Sequence, residues 1–449
     1  MKWASLIVLL GATFTLVPYL RTNTRLLKII WILVGFLPFV VESVHVYTSP
    51  IVWDWPGYVK GIELTVLDAL ALALYLSLPH EPNPHPLPFR IAFGFYFFAV
   101  LFSAIPAIVP EAALAYSWQI ARMFLLYAVI VRACANPIVP NALLKGMGAG
   151  LLLQAPIVLW QRFALGMLQS DGIIGHQNEL GIVSHFVVFP FFALLLTGRA
   201  GRLPVVIFLA GVIVELMTTS RGTIGLAAVG YILVFALSAT RGWTSRKSRL
   251  LLTFVIAAAV VAPVAISAFA QRGSSQMEAS DSARVDLERA ASMMLSDHPL
   301  GVGADNFVLA ANTEGYYQRA GVIWNAFSAT VHNIYWLTAA ETGYLGLVAF
   351  VIFLVAPLIV ALQCGVRHRQ DIRGDLLIGL GVALLMVYIH NFFEWIFITY
   401  LVQYVFVMDI GLIAGLAIQM GYWRRPRPHR HSFQVVRSSH PSRASAQGI

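Results

Sequence analysis

Apolar runs of about 20 residues recur along nearly all of this 449-residue sequence, and they constrain its architecture before any motif is read. A hydrocarbon core about 30 Å thick takes roughly 20 mostly apolar residues per spanning helix. The chain is 59% apolar and 11% charged, with a mean hydropathy of +0.76, so no soluble fold of this length has an interior large enough to hide its apolar surface. Runs such as Leu250 to Ala270 and Leu345 to Leu362 are apolar on every face, which excludes the alternating strands of a membrane barrel. The fold class is therefore all-α, a polytopic membrane protein with about 12–13 transmembrane helices.

Thirteen apolar segments are expected, near 3–20, 28–46, 63–79, 90–109, 113–134, 143–163, 179–197, 204–220, 223–240, 250–270, 342–363, 376–393 and 400–420. The first has one Lys and no clear small-residue cleavage site, so it is read as a retained helix. Alternate connections are basic: Arg21, Arg25 and Lys28; Arg90; Arg132 and Lys145; Arg199 and Arg202; Arg241, Arg246, Lys247 and Arg249; Arg367, Arg369 and Arg373. The positive-inside rule puts these on the cytoplasmic side of the membrane. The net charge of +9 thus reads as a topology signal spread over short loops, with no groove for nucleic acid.

Four regions follow: N-terminal helices over 1–169, a central region over 170–365, C-terminal helices over 366–423, and a disordered basic cytoplasmic tail over 424–449. In the tail, a solvated segment is preferred to metal binding by His429 and His431. The remaining connections, near 47–62, 110–113, 164–178, 220–222, 271–331 and 394–399, face the periplasm. Only the stretch 271–331 is long, and function is expected there. Cys134 and Cys364 both fall at cytoplasmic loops, where a disulfide is not expected.

An ionisable group at membrane depth costs a few kcal/mol, so each is a candidate for function. Arg221 interrupts ELMTTSRGTIGLAAVG on the side where the positive-inside rule predicts no Arg. Its planar fork of donors suits phosphate, with Ser220, Gly222 and Thr223 around it; pairing with Glu215 is the bland alternative. His332 opens VHNIYWLTAAETGYLGLVAF where the long loop re-enters the membrane, and an imidazole there suits proton transfer from a sugar hydroxyl. Asn333, Tyr335 and Trp336 follow it, the aromatics suited to stacking on sugar rings or to the interface itself. Glu341, near Gly343 and Gly346, reads as an Arg partner, a cap at a helix bend, or a catalytic carboxylate.

In the long loop, residues 282–296 alternate at helical spacing and break at Pro299, which predicts a surface helix offering Arg284 and Arg289. LGVGADNF is a turn, since it lacks the strand-turn-helix setting of a nucleotide motif. DGIIGHQNELG gathers Asp171, His176, Gln177, Asn178 and Glu179, suited to sugar hydroxyls or to helix capping, without zinc-type spacing. HNFFEW, with His390, Asn391 and Glu394, reads as a supporting helix end.

Together these residues resemble the O-antigen ligase and polymerase superfamily of bacterial membrane glycosyltransferases. The likeness rests on TTSRGTIGL, on SARVDLERAASMMLSDHPLGVGADNF, on VHNIYWLTAAETGYLGL, and on GHQNELG ahead of them, covering about 170–365. The resemblance implies a metal-independent, inverting transfer of a glycan from undecaprenyl diphosphate to an acceptor hydroxyl at the periplasmic face, with no cofactor. The acceptor would be lipid A-core for a ligase or a growing polysaccharide for a polymerase, with membrane lipid around the protein. Carried over, Arg221 and His332 are catalytic, Arg221 on the diphosphate and His332 as base, with Arg284 assisting. Arg289, Glu341, Asn333, Trp336 and Asn178 complete the expected substrate-binding set. Family members usually read as about 12 spans with both ends inside, whereas 13 put the N-terminus outside. A transporter or flippase of the same lipid-linked oligosaccharide is the reading from another class, although no internal repeat or paired broken helices mark it.

Overall fold

The computed structural model describes residues 2–40, 55–59, 61–79, 86–270 and 274–423, without the side chains of 2–6, 257, 258 and 260–281. The tail 424–449, with His429 and His431, lies outside the described residues, as does most of the connection 47–62.

The described residues form sixteen α-helices. The N-terminal region supplies α1 (Lys2–Thr22), α2 (Thr24–Phe36), α3 (Val66–Ser77), α4 (Arg90–Phe102), α5 (Pro110–Ala133) and α6 (Ile138–Phe163). Next come α7 (Gln177–Thr197), α8 (Leu203–Thr218), α9 (Arg221–Thr240) and α10 (Ser245–Ala270). The long loop contains α11 (Ser274–Asp297), α12 (Phe307–Thr313) and α13 (Tyr316–Ala320), and the chain finishes with α14 (Ile334–Arg367), α15 (Ile372–His390) and α16 (Tyr400–Gln419). Over the described residues each of the thirteen expected segments falls on a helix, positions 41–46 of the second lying outside them, and the other three helices make up the loop unit. Among the described residues, α5, α6, α7, α9, α14, α15 and α16 are long and apolar enough to cross a membrane, and α1, α3, α4 and α8 contribute shorter apolar stretches.

The centre of the bundle is α7 and α16, buried over most of their apolar windows, with α15 packed against α7. Helix α9 is the opposite case, only 28% buried over its window, so most of its surface is left for lipid. α9 nonetheless packs its inner face on α7 and α15, which fixes its first turn against the core.

Two sets of connections gather at opposite ends of these helices. Where α7 and α9 end and α15 begins, Arg241 donates to the carbonyls of His368, Arg369 and Asp371 and pairs with Asp375, while Arg199 reaches Gln370 O. Where α7 and α9 begin and α15 ends, the loop unit docks. Its anchor is a break in α14 at Gly343, whose φ of 68° and ψ of −173° lie outside the helix. The break frees carbonyls, and the turn after Pro299 uses them: Val302 N and Gly303 N donate to Ala340 O and Glu341 O, and Tyr344 N donates to Pro299 O. Gly301 and Gly303 adopt φ of +85° and +98°, conformations that suit glycine at this close approach.

Candidate functional site

Where the loop unit meets the ends of α7, α9, α14 and α15, the structure encloses an open cavity of about 650 Å³. Arg221, Arg284, His332, Asn178 and Glu394 line it, with His390 at one wall. Three helices begin at this cavity. Ser220 caps α9 by accepting from Thr223 N, Asn333 caps α14 by accepting from Tyr335 N and Trp336 N, and His176 Nδ1 accepts from Glu179 N at the start of α7. Positive helix ends converging with two guanidinium groups suit an anion, offset in part by the C-terminus of α15.

Arg221 is the first residue of α9, and local strain sets it there. Thr219, at φ +45°, occupies the left-handed region disfavoured for a β-branched residue. Its hydroxyl donates to Leu168 O, and Ser170 N donates to Met217 O, so the segment after α6 holds the turn. Strain of about 1–3 kcal/mol maintained by surrounding bonds is common at functional positions.

Glu394 is the hub. Its Oε1 accepts from Asn178 Nδ2 at 2.6 Å and from Arg284 Nη2 at 3.2 Å, and its Oε2 lies 3.4 Å from His332 Nδ1. The carboxylate is 3% exposed, whereas Arg284 and His332 are 31% and 34% exposed, so it holds from below two groups that face the cavity. A carboxylate on Nδ1–H leaves Nε2 of His332 with a lone pair to accept a proton. The weight of Glu394 was underestimated from the sequence. A carboxylate one turn beyond an apolar helix, with His390 in the same HNFFEW stretch, was the available signal.

Asn333 stands just behind the cavity, where Nδ2 donates to Glu288 Oε1 at 3.0 Å while its oxygen caps α14. Arg289, Glu341 and Trp336 are not brought to the cavity. Arg289 is 52% exposed and bonds Asp286 and Ala320 O, because five residues along a helix turn a side chain about 140° away from Arg284. Glu341 is buried about two turns deeper, where it accepts from Tyr58 OH at 2.7 Å and from Phe307 N, beside the Gly343 break. It holds a bend, one of the two structural roles its surroundings suggested. Trp336 packs half-buried against the apolar core. Of the polar residues in DGIIGHQNELG, Asp171 accepts from Gln161 and Glu179 from Thr399, so they are spent on separate partners.

Glu215 accepts from Tyr231 OH and lies 3.0 Å from His185 Nδ1, inside the bundle. Cys134 and Cys364 are free and buried.

Residues 204–351 match the family model described as O-antigen ligase, and the match lies within the 170–365 stretch that carries the resemblance. This part of the chain, which contains Arg221, Arg284 and His332, is similar to the O-antigen ligase family, and the protein is multi-pass in the membrane. The match supports an activity of the O-antigen ligase or polymerase type, acting on lipid-linked glycans and polysaccharides in general. No curated protein matches the chain.

Proposed function

We propose that the protein transfers a glycan from undecaprenyl diphosphate to an acceptor hydroxyl at the periplasmic face of the bacterial inner membrane. The observation that carries this reading is the convergence of Arg221 and Arg284, from different elements, with His332 on one cavity at helix N-termini. As the bond between the anomeric carbon and the diphosphate oxygen breaks, negative charge grows on the leaving group. Arg221 and Arg284 meet it where it develops, which is the arrangement that lowers a barrier. His332, oriented by Glu394, accepts the proton of the attacking hydroxyl. Attack from the face opposite the diphosphate inverts the anomeric centre. These side chains supply both the charge and the base, so the proposed reaction calls on no metal or cofactor.

The acceptor is lipid A-core for a ligase or a growing polysaccharide for a polymerase. The test uses purified protein in lipid with undecaprenyl-diphosphate glycan and each acceptor in turn. Wild type forms product, and Arg221→Ala and His332→Ala, still folded, lose it; the productive acceptor separates ligase from polymerase. Absence of transfer, or full activity in both variants, rejects the reading.

A further inference from the structure

Behind the cavity lies a line of buried polar side chains that the transfer chemistry does not use. His390 is the last residue of α15 and is 1% exposed. On one side its Nε2 lies only 2.8 Å from where a Cβ on Gly222 would sit, beside Arg221 at the start of α9. On the other side its ring centre is 5.8 Å from that of His185 on α7, tilted by 46°. His185 Nδ1 is 3.0 Å from Glu215 Oε1 on α8, and Tyr231 OH donates to the other oxygen of Glu215. Among the described residues, His390 Nδ1 and His185 Nε2 are buried with no hydrogen-bond partner. Buried polar nitrogens are nearly always paired, so two orphans on neighbouring rings call for an account.

The bond to Glu215 favours the tautomer of His185 with hydrogen on Nδ1, which leaves a lone pair on Nε2. An imidazolium at His390 carries a hydrogen on both ring nitrogens, and Nε2 is the one beside Gly222 at the cavity. The titratable and charged groups around it are His185 on α7 and, through it, Glu215 on α8, Arg221 on α9, Arg284 on α11, and His332 and Glu394 at the cavity. With the cavity empty, the two guanidinium groups repel a positive charge at His390. A diphosphate between them reverses that field.

We propose that His390 is a proton site coupled to the diphosphate: it takes up a proton from water when the anion enters and returns it when the anion leaves, with the His185–Glu215 pair supporting the imidazolium. His390 then adds a third positive group under the leaving diphosphate. By linkage, the anion raises proton affinity at His390 by the same factor by which the proton raises anion affinity. The inference rests on the proposed diphosphate-binding role of Arg221 and Arg284.

The test is titration calorimetry of the full chain in detergent with inorganic pyrophosphate, near neutral pH, in two buffers of different ionisation heat, which reports protons taken up per anion bound. Relative to wild type, His390→Gln is expected to take up fewer protons, by up to about one per anion, and to bind more weakly. His185→Gln is expected to lower the uptake in part, with His332→Gln keeping it. Equal uptake in wild type and His390→Gln, each folded and each sensitive to Arg221→Ala, overturns the proton site and leaves the anion site standing. Uptake that vanishes with His332→Gln and persists in His390→Gln also overturns it. Pyrophosphate binding that is absent in wild type, or indifferent to Arg221→Ala, removes the anion site and with it this inference.

Discussion

Two arginines that each meet buried carboxylates, Arg122 in the helix bundle and Arg284 on the loop helix α11, differ in their settings. Arg122, in α5, is 3% exposed; its Nη1 is 2.7 Å from Asp68 and 3.2 Å from Tyr404 OH, and Nη2 is 3.8 Å from Glu63. Arg284 is 31% exposed and makes one bond of 3.2 Å to Glu394, with the rest of its fork toward the cavity. Arg122 breaks an apolar context and Arg284 sits on the polar loop helix α11, so charge alone does not rank them. What separates them is whether the donors are consumed by the protein or left for something that enters. A sealed arginine holds helices together, and a half-sealed one is available for chemistry.

The sharpest way to break this comparison is to remove each guanidinium in turn. Arg122→Ala removes the guanidinium charge that neutralises the buried Asp68 and Glu63 and is expected to cost about 3–5 kcal/mol, read as loss of folded protein or a lowered unfolding temperature in detergent. Arg284→Ala removes a partly open pair and is expected to change stability by no more than about 1 kcal/mol. In the transfer assay the order reverses, with Arg284→Ala or Arg221→Ala lowering kcat about 10²–10³-fold. Equal stability losses at 122 and 284 would dissolve the distinction.

Glu394→Gln probes the hub. It keeps an oxygen for Asn178 but removes the charge that orients His332, so turnover is expected to fall by roughly 10²-fold, within the range for proton transfer by a positioned group. A stability loss without a turnover loss would move Glu394 to the sealed class.

Smaller still is the effect of packing on the same helix. A Cβ at Gly222 meets His390 Nε2 at 2.8 Å, and one at Gly225 meets nothing within 4 Å. Gly222→Ala is therefore expected to cost about 1–3 kcal/mol and to displace Arg221, lowering activity. Gly225→Ala is expected to be neutral or stabilising by about 0.5–1 kcal/mol.

The smallest effect lies at the opposite end of the bundle, where Asp371 caps α15 by accepting from Arg373 N. The hydrogen bonds from the Arg373 side chain hold this carboxyl below its usual range, against some desolvation. A depressed carboxyl contributes stability above its unfolded value, near pH 4, that is lost as pH falls through the folded value. Asp371→Asn is expected to cost no more than about 1 kcal/mol at neutral pH and to flatten the acid limb of the unfolding-temperature profile, with transfer activity unchanged.

Much of the cavity lining was legible because its residues break local rules. Arg221 is a cation in a connection where the alternation of basic loops predicts none, His332 stands where a loop re-enters an apolar run, and Arg284 sits on a polar helix inside the one long loop. Arg289 was misleading because spacing that makes a helix also turns its side chains apart. Glu341 was misleading because distance along α14 is depth, and its nine residues beyond His332 amount to about 13 Å. Arg122 was passed over because a single charge in α5 carries no sign of its partners, which come from the segment around α3 and from α16.

The sequence by itself determined the class, the positions of the thirteen apolar segments and the two families of connections, because apolar length, charge bias and helix-breaking residues act locally along the chain. Only the tertiary structure decided which charged groups share a space. That Glu394 gathers Asn178, Arg284 and His332, that His390 backs onto His185, and that Arg122 is sealed all depend on segments 54 to 216 residues apart in sequence meeting side by side. Contacts of that range are set by how the whole bundle packs, and no local pattern encodes them.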